Sequence, residues 1–503
     1  MEEQRNPPKI LEEEGKEESA MKKKSQNEIS SLPDSILLHI LSLLPVKYAA
    51  ATSVLAKRWR DLSICNLIHA ANLDFGDEVA DNPAPEQFVD FVNRCVNIHV
   101  GKKIERFRLC FDPSDRFRSD AVNWIGFATR KNVKELHLDF CRRRDHYDIR
   151  EETTSDEHKP FELPELLFTN ESLTHLDLSH CVLTLPLDFS GFGFLKTLRL
   201  RDVNITETTL ECLLANCPVL EKLILKECPL QSIKIPESNQ QLRTLTLCHC
   251  WQGSEIEISA PNIRSFLYWG KLMQWFSIKN ISALEEAVIY IREREDGRPD
   301  DVRIRILSDL AYVKILTICG GALPWHTPKD FRVTFNNLKE LQLLADSVCD
   351  VYSFFRQSIC PCLERFYIRV FFIQLPGVPE DMCLWEYVGM PTVEPLNCVF
   401  NHLKLIKMGN FRGSKVELKM VKFLLERATV LESLVLVVPQ ESYAIKKDLG
   451  DESEDSEFQS NSIKTPPLCL LQEKLLQLPK ASLGAQIILR ESLEGCNDIL
   501  LNR

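Results

Sequence analysis

What this 503-residue chain lacks narrows its function first. Nowhere do 18 consecutive apolar residues occur, so no membrane-spanning helix is expected. The opening MEEQRNPPKILEEEGKEES holds no apolar core of signal-peptide length, which points to an intracellular protein of the nucleus and/or cytoplasm. A basic excess is missing too. The formal net charge is -11, with much of that acidic excess in residues 1–30 and in DESEDSE at 451–457, which argues against binding nucleic acid by bulk electrostatics. There is no Walker A loop, no H-E-x-x-H and no G-x-S-x-G, and Gly191-Phe192-Gly193 lacks the third glycine of a dinucleotide loop. The histidines show no paired ligand spacing, and Cys248-His249-Cys250 and Cys360-Pro361-Cys362 lack the second pair that a four-ligand zinc site needs. No metal and no cofactor are therefore expected. A Cys/His nucleophile adjacent only in the fold would leave no local signature, but 18 cysteines without a secretory leader read first as reduced thiols acting as small buried hydrophobes. The run Met21-Lys22-Lys23-Lys24, flanked by glutamates, reads as a solvated tail rather than a nuclear address.

What is present is a repeat. A strict L-x-x-L-x-L begins at Leu173, Leu195, Leu220, Leu242, Leu338 and Leu431, and again at Leu38, where it coincides with helical spacing. Admitting other apolar residues adds starts at Ile104, Val133, Ile263, Leu284, Val313, Leu363 and Leu403. From Leu173 to Leu363 the starts advance by 22, 25, 22, 21, 21, 29, 25 and 25 residues, in or near the range of leucine-rich repeats. Each pattern predicts a short strand with its leucines inward, burying its face only against neighbouring repeats. Three positions beyond the last leucine this repeat favours Asn or Cys, and Cys141, Cys181, Cys228 and Cys250 fall there. That gives these thiols a structural task that competes with a metal reading. In ETTLECLLANCPVLEKLIL, Thr209 to Ala215 read as a helix stopped by Pro218, and FFRQSICPCLERFYI repeats that punctuation. The expected fold is thus α/β: a curved solenoid, a parallel sheet inside and helices outside.

Residues 31–63, SLPDSILLHILSLLPVKYAAATSVLAKRWRDLS, are different. Helical spacing of Ile36, Leu37, Ile40, Leu41 and Leu44 predicts a helix from about Asp34, its candidate N-cap, to Leu44, ended by Pro45. Two more short helices follow, at Ala49 to Leu55 and Ala56 to Leu62. A unit this small cannot bury all its aliphatics alone and needs a partner. The segment resembles an F-box, in the form common in plants. The resemblance implies docking on the Skp-type adaptor of a Skp-cullin-F-box ubiquitin ligase, and through it on the cullin scaffold. The positions that match adaptor-contacting or core residues of the family are Leu32, Pro33, Ile36, Leu37, Ile40, Leu41, Leu44, Pro45, Val54 and Trp59. Tyr48 and Ala49-Ala50-Ala51 depart from the charged residues common in relatives.

Near the other end, NHLKLIKMGNFRGSKVELKMVKFLLERATVLESLVLVVP, followed after an acidic insertion by EKLLQLPKASLGAQIIL, resembles the FBD domain that accompanies F-box and leucine-rich repeats in plants. Its landmarks are Gly409, Phe411, Gly413, Glu417, Leu424, Leu431, Leu434 and Leu478-Pro479-Lys480-Ala481-Ser482. The chain thus divides into a mixed-charge tail expected to be disordered (1–27), the F-box (28–65), a helical linker (66–100), leucine-rich repeats (101–395), an FBD domain (396–490) with a solvated, mobile insertion (441–466), and a tail (491–503).

Strand alternation turns positions 3, 5 and 7 of each L-x-x-L-x-L toward the concave face. Arg199, Arg201, Lys222 and Lys226 form a basic cluster there, with Trp269, Tyr290, Arg365, Tyr367 and Arg369 on later strands. Arg, Tyr and Trp are over-represented in binding hot spots, and the set suits an acidic or phosphorylated segment of a protein target. A solvated strand face would carry similar charges. The resemblance implies a non-catalytic substrate-recognition subunit of a ubiquitin ligase. The alternative is a leucine-rich scaffold or inhibitor that presents no ubiquitination target.

Overall fold

The computed structural model describes residues 29–44, 46–76, 85–141, 159–250, 253–292, 300–324, 331–345, 347–370, 398–439 and 468–491. Pro45, the 1–27 tail, the 441–466 insertion and nearly all of the final tail lie outside them. Two compact units meet in the chain between residues 195 and 196.

The first unit opens with α1 (Asp34–Leu43), α2 (Val46–Ala51), a 3-10 turn at Thr52–Val54 and α3 (Lys57–His69). Three expectations are corrected here. Helix α2 begins at Val46, directly after Pro45, and α3 runs on to His69 instead of ending near Leu62. The N-cap of α1 is Pro33, with no side-chain cap bond. Asp34 is the first helical residue, and Arg58 reaches across 24 positions to its carboxylate and donates to the Leu32 carbonyl at 2.7 Å. The carboxylate sits favourably on the helix N-terminus, and the guanidinium ties that end to α3.

Beyond α3 the same unit carries β1 (Asn72–Phe75), α4 (Pro85–Ile98), β2 (Arg106–Cys110), α5 (Arg118–Arg130), β3 (Glu135–Asp139), β4 (Phe161–Glu162), β5 (His175–Ser179) and β6 (Cys181–Val182). Strands β1, β2, β3 and β5 pair in parallel, in that order, and β4 pairs with β6. The stretch 66–100 is therefore no mere helical linker, because β1 and α4 form the first repeat of the ladder.

The second unit continues the pattern over β7 (Thr197–Arg201), α6 (Glu207–Asn216), β8 (Lys222–Lys226), β9 (Ser232–Ile235), β10 (Thr244–Cys248), β11 (Glu255–Ile258), β12 (Ser265–Gly270), β13 (Trp275–Ile278) and β14 (Glu286–Ile291). It goes on through α7 (Asp301–Asp309), β15 (Ile315–Cys319), β16 (Val333–Thr334), β17 (Glu340–Ala345), α8 (Val348–Gln357), β18 (Ser358–Ile359), β19 (Arg365–Val370), β20 (Leu405–Gly409), α9 (Lys415–Arg427), β21 (Ser433–Val438), α10 (Leu468–Leu476) and β22 (Gln486–Glu491). The long strands β7, β8, β10, β12, β14, β15, β17, β19, β20, β21 and β22 form one parallel run. Helices do not follow every strand. After β8, β10 and β12 the return path is a short strand, and these three form a second parallel sheet in the order β13, β11, β9.

Every repeat start from Ile104 to Leu431 is buried and stands two residues before a strand. Within strands burial alternates, as in β3, β5 and β12, because successive side chains leave opposite faces. A turn precedes most strands. The amides of Leu220, Ile263 and Leu363 bond the carbonyls of Cys217, Ala260 and Cys360, and Pro218, Pro261 and Pro361 occupy the second turn position, where proline's fixed φ is suited. Another feature follows the strands. His180, Asp202, Glu227, His249 and Asn410 have φ of 57°, 47°, 58°, 54° and 60° in the slot after the strand. A left-handed non-glycine residue costs roughly 1–2 kcal/mol. The offset is a bond to the next repeat: the amides of Asp202, Glu227 and His249 reach the carbonyls of Lys226, Cys248 and Trp269 at 2.8, 2.8 and 2.6 Å.

The FBD landmarks belong to this same ladder. Strand β20 pairs with β19 and β21 with β22, so the described residues of the FBD segment continue the repeat ladder. Ser414 and the fully buried Glu417 form a capping box on α9, and Glu417 also accepts from the Arg412 amide at 3.1 Å. In the LPKAS segment the Ala481 amide bonds the Leu425 carbonyl at 2.9 Å, and the Ser482 hydroxyl bonds the Leu431 carbonyl at 2.8 Å. These residues fasten the last helix and strand onto the end of the sheet.

Candidate adaptor-docking and target-binding surfaces

In the N-terminal helices, Leu37 and Leu41 on α1, Ala49 on α2, and Trp59 and Leu62 on α3 make one small core, with Leu32, Leu38 and Ile40 packed partly buried against it. The structure thereby divides the residues matched to the F-box. Leu37, Leu41 and Trp59 are 0%, 0% and 4% exposed and are out of a partner's reach. Pro33, Ile36, Leu44 and Val54 are exposed, Val54 to 82%. Sequence reading missed Leu43 and Leu55, which are 72% and 66% exposed. The second lies one residue from Val54. Large apolar side chains exposed on so small a unit make it the candidate docking surface.

On the second unit the strand register aligns the face residues in rows. One row runs Arg201, Lys226, Cys248, Trp269 and Tyr290 across five adjacent strands. Arg201 and Lys226 are direct register partners, and like charges placed opposite each other repel. An anion laid over the pair would relieve that repulsion. Beside them the His249 ring lies 5.1 Å from that of Trp269, which lies 5.0 Å from that of Tyr290. Burial holds the imidazole below its usual protonation range, favouring the neutral ring in this stack. The next row holds Arg199, Ile224, Thr246, Leu267, Val288 and Thr317, with Ile224 and Thr317 buried. This apolar centre escaped a sequence reading that selected charged and aromatic residues. Lys222 stands in the outermost row between Thr197 and Thr244.

Farther along, Arg365 is already engaged. Its Nε donates to the buried Glu340 carboxylate at 2.9 Å, and that bond raises the guanidinium pKa further. Tyr367 and Arg369 are half-buried on the same strand, in register with Gln342 and Leu344. The face thus carries two separate groups, one on β7 to β14 and one on β19.

The repeat cysteines occupy their slot as small polar fillers. Cys228 donates to the Leu200 and Lys226 carbonyls at 3.7 and 3.4 Å, and burial pushes its pKa up to about 11. Cys250 does the same toward Leu225 and Cys248, and burial pushes it up to about 12. In Cys360-Pro361-Cys362 the first thiol is buried and the second exposed. Sequence reading placed Cys141 in its repeat slot but did not join it to Asp139 and His180; the donor atoms of the three all lie within 4.8 Å of one another in the first unit. Their signal is slot position in successive repeats, not spacing along the chain.

Among the described residues no helix is long and apolar enough to cross a membrane. The F-box domain profile matches residues 29–65, and the profile described as At1g61320/AtMIF1, LRR domain, matches residues 95–465. Three relatives from Arabidopsis thaliana align over most of their lengths. The F-box/FBD/LRR-repeat protein At5g56420 is 25% identical over 456 residues, 84% of this chain and 94% of that one. The FBD-associated F-box protein At1g61320 is 26% identical over 445 residues, 84% and 91% of the two chains, and the F-box protein At3g62230 is 27% identical over 436 residues, 82% and 91%. The chain belongs to the F-box proteins that carry a leucine-rich repeat domain of the At1g61320/AtMIF1 type.

Proposed function

We propose that this chain is the non-catalytic substrate-recognition subunit of a Skp-cullin-F-box ubiquitin ligase and acts inside the cell. The observation that carries the reading is the exposed apolar set Ile36, Leu43, Leu44, Val54 and Leu55 around an already complete small core. A Skp-type adaptor covers this set and joins the chain to the cullin scaffold. The strand face of the second unit holds the target. Arg199, Arg201, Lys222 and Lys226 pair with an acidic or phosphorylated segment, and Trp269, Tyr290 and the apolar row beside them take its side chains. Arg365, Tyr367 and Arg369 form a second, smaller contact. The chain supplies proximity between target and transfer machinery and performs no bond chemistry itself.

The test is co-purification of the full chain with a Skp-type adaptor. Val54→Asp with Leu55→Asp places two charges on the exposed set without entering the core. Burying such side chains contributes about 1.5–3 kcal/mol each, so the pair loses at least about a hundredfold in affinity. Retention of the wild type and loss by the variant supports the reading. A folded wild type that does not bind the adaptor sinks it and favours a leucine-rich scaffold. Charge reversal at Arg199 and Arg201 weakens capture of an identified target; unchanged capture removes this face from consideration.

A further inference from the structure

We propose that Asp139, Cys141 and His180 form a binding site for a divalent transition-metal ion, zinc by the chemistry of its donors. Asp139 ends β3, Cys141 follows two residues later, and His180 follows β5 in the left-handed slot, with φ 57°. The β3–β5 register sets Asp139 beside Ser179 and so brings His180 to it across 41 positions. The three donor atoms lie within 4.8 Å of one another. An ion about 2.0–2.3 Å from each of an oxygen, a nitrogen and a sulfur donor fits inside such a triangle with little more than side-chain rotation.

Two observations separate this cluster from an ordinary repeat turn. The thiols of Cys181, Cys228 and Cys250 are buried in the same repeat slot, whereas Cys141 is half-buried and lines a cavity together with His180. Among the described residues that cavity also borders Asp112, Ser114, Arg118 and Lys159, which leave space for solvent or an exogenous ligand to complete a tetrahedron. Asp139 Oδ1 accepts from the Cys141 amide at 3.0 Å and lies 2.8 Å from His180 Nδ1, which holds carboxylate and imidazole together before any ion arrives. Binding puts the metal at His180 Nδ1, the ring proton shifting to Nε2 so that the imidazole stays neutral, and releases the thiol proton to solvent. A thiolate and a carboxylate then balance the ion's two positive charges.

The probe is Co2+ titrated into the full chain, in complex with its adaptor if purified that way, after chelator treatment and reduction. Wild type is expected to show a near-ultraviolet thiolate-to-cobalt charge-transfer band at one equivalent, displaced by Zn2+. Cys141→Ser abolishes the band. His180→Asn weakens binding by more than tenfold, since even changes behind the ligands cost about 10–100-fold. Cys250→Ser, which removes a buried repeat thiol, leaves the band in place. Circular dichroism verifies that each variant is folded. Absence of the band in a folded wild type, or its survival in Cys141→Ser, overturns the proposal.

Discussion

Gly413 tests whether the FBD landmarks are structural fasteners. Its φ of +74° is left-handed, and a methyl group added there would overlap Leu471 Cδ2 and stand 3.3 Å from Cδ1 and Cγ. Leu471 is fully buried on α10, so it cannot swing into solvent. Gly413→Ala therefore combines left-handed strain of roughly 1–2 kcal/mol with overpacking of about 1–3 kcal/mol, or about 2–5 kcal/mol in all. Leu471→Ala alone leaves a cavity costing about 2–5 kcal/mol. In the double variant the alanine methyl enters space that Leu471 vacates, so the costs fall short of additive by about 0.5–3 kcal/mol. Denaturant melts of the four proteins give the cycle. Hydrogen exchange should place the loss in α10 and β22, because these elements sit at the end of the ladder. Adaptor retention should be unaltered, since the F-box lies at the other end of the sequence. A neutral Gly413→Ala, or strict additivity in the cycle, would refute the fastening argument.

Two further outcomes follow from buried titratable groups. Burial raises the Glu417 pKa above its ordinary 4.5 despite the amide bonds that favour its charged form. A raised carboxyl contributes its full stability below pH 4.5 and loses it as pH rises through the folded value. The stability of wild type relative to Glu417→Gln should accordingly fall as pH climbs from there; a pH-independent difference in denaturation midpoint would contradict this. For the cysteines, a maleimide applied to the native chain at neutral pH should label exposed Cys65, Cys362 and Cys469 first. Cys228 and Cys250, pushed up to about 11 and 12 by burial, should react only on unfolding, as peptide mapping would show. Equal labelling of both sets would show that the buried thiols are open to solvent.

How much of this was legible depends on whether the determining contact lies within a repeat or between repeats. The ladder strands from β2 to β21 were legible because each is announced by apolar residues at fixed local spacing. Strands β1 and β22 escaped because Ala70 and Gly484 hold the slot where the pattern demands a large residue. The outer strands β9, β11 and β13 escaped because SIKI, EIEI and WFSI are too short to carry a period, and their pairing lies one repeat away. The left-handed slot has no signature either. His, Asp and Glu occupy it because an amide bond to the following repeat, and not the residue's own preference, selects the conformation. At the F-box, family resemblance marked which residues matter without dividing Leu37, inside, from Ile36, outside. In a parallel ladder the neighbour of a side chain is the same slot of the next repeat, a variable number of residues on. Fixed-spacing motif scans are blind to that relation. Aligning the repeats by slot recovers it: Arg201, Lys226, Cys248, Trp269 and Tyr290 share one slot, and Asp139, Cys141 and His180 occupy that slot and the two after it in successive repeats.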